Sequence, residues 1–145
     1  MTIISAAIIL FIFLEGTNII TMYFFPGSKR ANAVGVFNAW EKSKADPEVH
    51  EFVRYLVNWI AGTKLIFIAL LVVILFTGGT ATKLGALIAL ILSILSFYWR
   101  LFPSIRAMDG RNEITPAGYS KSLGYMIAGF VIIFAVTLLI SLNAR

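Results

Sequence analysis

The chain has 145 residues, of which 59% are hydrophobic and only 13% charged, with a net charge of +5 and no cysteine. A mean hydropathy of +0.90 places it in the membrane class and outside the range of ordinary soluble domains. The absence of cysteine excludes disulfides, thiolate catalysis and thiolate-ligated metal or iron–sulfur centres.

Residues 3–25 are predicted to form the first of four membrane-spanning helices, in a chain with room for four spans and no soluble domain. No basic residue precedes the apolar run and no small-residue cleavage site follows it, so it reads as a retained span rather than a leader. Its second half carries Glu15, Asn18 and Met22 at helical spacing, on one face. That face is expected to point into the protein, since a carboxylate is poorly tolerated against lipid. Pro26-Gly27 ends the helix.

In the connection that follows, Ala33, Val36, Phe37 and Trp40 recur at helical spacing among charged residues. A short interfacial helix over about 30–43 is expected, aromatics toward the acyl boundary and bases toward headgroups. Asp46-Pro47-Glu48 is a strong helix start, with a capping acid and proline at the first helical position. The second span, about 53–76, is entered past Arg54, Tyr55, Asn58 and Trp59, and Lys64 lies near its centre.

A lysine at mid-membrane costs roughly 3 kcal/mol on insertion scales and requires a partner. Glu15 lies ten residues up from Phe25, and Lys64 ten up from Arg54. At 1.5 Å per residue both are about 15 Å deep in a core about 30 Å thick. The expected arrangement is a buried Glu15–Lys64 pair, with Asn18, Asn58 and Arg54 extending a polar path toward it. Such a pair either lines a site or simply fixes helix register; a third reading gives Lys64 an acidic partner on another subunit.

The third span, about 82–102, carries Gly85, Ala89 and Ser93 every four residues, and Pro103 is expected to end it. Thr115-Pro116 repeats the cap-then-proline signal ahead of the fourth span, about 119–142, where Ser120, Gly124 and Ala128 form a second small-residue stripe. Phe25-Pro26-Gly27-Ser28-Lys29-Arg30 is echoed by Phe102-Pro103-Ser104-Ile105-Arg106, a faint hint of duplication set against common chance occurrence.

Of twelve Lys and Arg, nine (Lys29, Arg30, Lys42, Lys44, Arg54, Arg100, Arg106, Arg111 and Lys121) fall in or beside the first and third connections. Lys83 and Arg145 fall on the other side. The positive-inside rule then puts both larger connections in the cytoplasm and both termini outside. Lys29, Arg30, Lys42, Lys44, Arg106 and Arg111 fit anionic headgroups better than nucleic acid, because they flank spans.

His50 is the only histidine, which argues against a haem or a zinc centre, and it is expected to be solvated. No phosphate loop, nucleophile elbow or zinc-protease motif occurs; no cofactor is expected. The reading is an all-α, single-domain four-transmembrane-helix bundle with no enzymatic chemistry. It would serve as an accessory subunit of a larger membrane complex or as a self-associating bundle, with the bilayer and a membrane-protein partner or second copy around it. The alternative is a small transporter or binding protein for a charged or amphipathic solute, and the third a lipid- or quinone-active membrane enzyme.

Overall fold

Long runs of apolar side chains without proline leave the backbone one economical way to satisfy its own polar groups, the helix. A computed structural model describes residues 2–31 and 33–143. It contains helices α1 (Ile3–Phe24), α2 (Asn38–Ser43), α3 (Pro47–Thr77), α4 (Thr80–Leu95), α5 (Phe97–Gly110) and α6 (Tyr119–Asn143), and no strand among the described residues. Four stretches are long and apolar enough to cross a membrane: Ile3–Phe24, Pro47–Thr77, Thr80–Gly110, which α4 and α5 share, and Tyr119–Asn143.

Local chemistry sets the helix ends. Thr2 accepts the Ser5 N–H at the start of α1, and the Asp46 carboxylate accepts from the Glu48 and Val49 N–H groups ahead of Pro47. Both match the residue types that cap helices. The end of the third apolar stretch departs from expectation. Pro103 does not stop it; the helix runs on through Pro103 to Gly110. The interruption comes earlier, at Ser96, whose hydroxyl donates to the Ser93 carbonyl at 2.6 Å. Ile105 of α5 is buried with Val36 and Ile114, and Phe102 and Leu123 pack beside them, a contact that holds the proline-bearing helix in place. Pro26 follows its helix while Pro103 lies within one, so the two echoed segments take different conformations.

α6 begins at Tyr119 rather than at Pro116. Its orphan N–H groups are met by Asp109, at the end of α5. One carboxylate oxygen accepts from Gly118 N–H at 2.9 Å, and the other from Ser120 N–H at 3.0 Å and the Ser120 hydroxyl at 2.6 Å. Thr115 is used elsewhere: its N–H donates to the Val36 carbonyl and its hydroxyl to Asn38 Oδ1.

The first connection also differs from a fourteen-residue helix. It forms a 3-10 turn at Val34–Val36 and the six-residue α2. Backbone bonds from Val34 N–H to the Pro26 carbonyl and from Gly35 N–H to the Ser28 carbonyl fold this stretch onto the turn after α1. Gly35 is needed there, because a Cβ would run into the Gly27 backbone. A bridge pairs Phe37 with Ile114, so the two connections are tied together. Ala33, Val36 and Trp40 are buried inside the protein.

The main core joins all four apolar stretches. Ile8, Ala61, Leu87, Leu90 and Phe134 are buried within it, and Phe11 meets Phe134 edge to face with ring centres 5.7 Å apart. Much of the remaining apolar surface, including Phe13, Ile66, Leu92 and Leu139, faces outward. A soluble protein rarely shows so large a patch, whereas lipid would cover it.

Candidate functional site

Glu15 on α1 and Lys64 on α3 meet across the most extensive helix contact in the chain. The Lys64 ammonium donates to Glu15 Oε2 at 2.7 Å, and Asn18 Nδ2, one turn along α1, donates to Oε1 at 3.1 Å. Both carboxylate oxygens are therefore engaged. The side chains of Glu15 and Lys64 keep 20% and 29% of their surface open. An ammonium carries three donors, and among the described residues Lys64 spends one, on Glu15. The others are free for a ligand or water.

The open side of the pair is a cleft of about 590 Å³. α1 contributes Phe11, Leu14, Thr17 and Asn18, and α3 adds Phe67 and Ile68 beside Lys64. α4 supplies Leu90, Ser93 and Ile94, and α6 supplies a continuous face from Tyr119 through Ser122, Leu123, Met126 and Ile127 to Phe130. Lys29 and Ala31, from the first connection, stand at one end. Tyr119 and Phe130 are eleven residue steps apart, or about 16 Å of helix at 1.5 Å per residue. The cleft is thus elongated, mostly apolar, cationic at its mouth and polar partway along. Its volume lies within the usual range for small-molecule sites.

The other residues singled out from sequence are distributed differently. Asn58 and Arg54 are exposed on α3 and do not line the cleft; they share a helix with Lys64 but point elsewhere around it. Gly85 and Ala89 face outward, and no other side chain or backbone comes within 4 Å of a Cβ built on Gly85. The buried face of α4 is instead Leu84, Leu87 and Leu90. Ser93 lines the cleft. The second stripe is packed: Ser120 is buried on Asp109, and Gly124 lies under the Phe102 ring, where a Cβ would approach to 2.7 Å. Tyr98 donates to the Gly124 carbonyl at 2.6 Å, and Ala128 is half-buried.

Among the bases, Lys29, Arg30, Lys42 and Arg106 are exposed and make no ion pair among the described residues. Lys44 pairs with Glu41 at 2.7 Å and Arg111 with Glu113 at 2.8 Å. The Arg111 guanidinium, bonded to both Glu113 oxygens, holds that carboxyl below its ordinary range. Arg145 lies outside the described residues. His50 is not simply solvated: its Nδ1 shares a hydrogen bond with the Ser43 hydroxyl at 2.8 Å, and its ring packs on Trp40, 4.6 Å between centres.

Sequence reasoning missed the α6 side of the cleft and the capping role of Asp109. Tyr119, Leu123, Met126 and Phe130 do recur at helical spacing, but α6 is apolar all round, so no face announces itself. Comparison with known proteins returns no matching family model, no matching curated protein and no matching solved structure.

Proposed function

We propose that the chain is an integral membrane protein that binds an amphipathic solute in the cleft beside Glu15 and Lys64, as a small carrier or binding protein. One observation carries this reading: an elongated apolar cleft of ligand size has a lysine with spare donors in its wall. A solute with a hydrocarbon body and a hydrogen-bond acceptor partway along it would match both features. Glu15 holds the Lys64 side chain in the cleft wall through one hydrogen bond, at 2.7 Å, and leaves its other donors for the solute.

In this reading the four helices form a bundle across the bilayer, and Glu15 and Lys64 lie near its midplane. Both larger connections are cytoplasmic and both termini outside, from the weight of basic residues around α2 and the α5–α6 connection. α2 lies at the cytoplasmic surface, with Trp40 turned inward and Lys42 outward.

The experiment is extraction of the protein purified in mild detergent, followed by mass spectrometry of what it retains. Wild type is expected to hold an apolar species with a carbonyl, ester or acid group. Ile127→Trp, which fills the cleft, and Lys64→Met, which removes its donor, should lose it. An identical complement from all three proteins contradicts the reading.

Self-association or docking on a larger complex is the second reading. Its specific support is the open face at Gly85 and Ala89, where another helix could approach closely. Sizing of wild type against Gly85→Leu tests it; a monomer in both cases argues against it.

A further inference from the structure

A second cavity, of about 520 Å³, lies between α5 and α6, away from the cleft described above. Arg106, Phe102 and Tyr98 line it from α5, and Lys121, Gly124, Tyr125 and Ala128 from α6. The helices are antiparallel, and along both the chemistry changes in the same direction. Arg106 and Lys121 stand nearest the α5–α6 connection. Phe102, seated on Gly124, comes about one turn further in, then Tyr98 and Ala128 about another turn beyond, roughly 10 Å from the cations at 1.5 Å per residue.

Arg106 and Lys121 are both exposed and neither forms an ion pair among the described residues. No carboxylate lines the groove. Asp109 lies within electrostatic range of Lys121, but its two oxygens are taken by Gly118 and Ser120. The Tyr98 hydroxyl is turned to the Gly124 carbonyl, and its ring packs with Phe102 in the groove wall, 5.5 Å between centres. Two cations at the end of the span, above an aromatic and small-residue trough running along the helix axis, match a molecule with an anionic head and a hydrocarbon chain. The match includes its orientation, head outward and chain inward.

We propose that this groove holds one anionic diacyl phospholipid, its phosphate between Arg106 and Lys121 and an acyl chain lying over Phe102, Tyr125 and Ala128. Arginine and lysine recognise phosphate by charge-assisted hydrogen bonds, and basic side chains at the membrane surface attract anionic lipid.

The test is native mass spectrometry of the full chain in detergent, titrated with phosphatidylglycerol, phosphatidylcholine, or soluble glycerol phosphate as a head-only probe. The expected result is one retained phosphatidylglycerol, preferred over phosphatidylcholine by about thirtyfold, the effect of two basic side chains near an anionic group. Glycerol phosphate should not be retained. Arg106→Gln with Lys121→Gln should reduce the preference to about threefold or less, while Arg30→Gln with Lys42→Gln, an equal charge change elsewhere, should preserve it. Ala128→Phe keeps both cations and fills the trough, so it should weaken binding whether or not the charge variant folds. Arg106→Lys with Lys121→Arg should retain binding. Equal loss in the two charge variants, no loss with Ala128→Phe, or retention of glycerol phosphate alone would overturn the proposal. Lys64→Met should leave the preference unchanged, which separates this groove from the cleft.

Discussion

Cutting the Glu15–Lys64 pair one side at a time shows what the pair contributes. Removing one member of a fully buried ion pair costs about 3–5 kcal/mol, because the survivor is stranded. Here the side chains retain 20% and 29% of their exposure and line the cleft, so water within it can partly solvate a survivor. About 2–3 kcal/mol is expected for Lys64→Met. Glu15→Gln should cost a similar amount, since Gln can still accept from Asn18 but leaves the ammonium unpaired. The double variant removes both charges and should cost less than either single change, giving a coupling energy of about 2 kcal/mol or more. An ordinary interhelical hydrogen bond in a membrane averages about 0.6 kcal/mol, so the cycle distinguishes a charge pair from a polar contact. The assay is reversible unfolding by sodium dodecyl sulfate from bicelles, followed by tryptophan fluorescence, on all four proteins. Additivity within about 0.5 kcal/mol would refute the reasoning and mean that each charge is solvated on its own.

Other consequences follow from the packing. Gly35→Ala should destabilise by about 3 kcal/mol or prevent folding, at the upper end of overpacking costs, because its Cβ meets Gly27 backbone rather than a flexible side chain. Gly85→Ala should be tolerated or slightly stabilising, since nothing lies near it and alanine is the better helix former; the same unfolding assay ranks the two. Trp40→Ala should cost about 3–4 kcal/mol through loss of a buried aromatic, and should raise hydrogen exchange in residues 33–43. Asp109→Ala should raise exchange at the first turn of α6, because Gly118 and Ser120 lose their acceptor. The absence of native cysteine permits single-cysteine labelling without a background. A cysteine at Lys42 should react from the cytoplasm and one at Thr80 only from outside; the opposite pattern would reverse the proposed orientation.

Several positions along a helix axis were legible in the sequence, and most positions around it were not. The start of α3 followed from Asp46-Pro47, and Glu15 and Lys64 could be brought together by counting, because rise per residue is fixed. Rotation about the axis depends on neighbours. Asn58 and Arg54 share the helix of Lys64 yet turn away from the cleft, and the Gly85–Ala89 face turns outward while Leu84, Leu87 and Leu90 turn in. An apolar helix in lipid has little sequence contrast between its buried and outer faces, so composition does not report which is which. The first connection misled for a different reason. Ala33, Val36 and Trp40 have the spacing of an amphipathic helix, but Gly27 and Gly35 permit a close backbone approach that folds the stretch inward. Pro103 carries a stop signal that packing against Val36 and Ile114 overrides.

The most direct test is a structure of the protein in a lipid nanodisc at a resolution that shows side chains. Elongated non-protein density along Leu14, Leu123 and Phe130, with an acceptor group beside the Lys64 ammonium, is the predicted result. A collapsed cleft, with Met126 and Phe130 packed against Ser93 and no space beside Lys64, would contradict it.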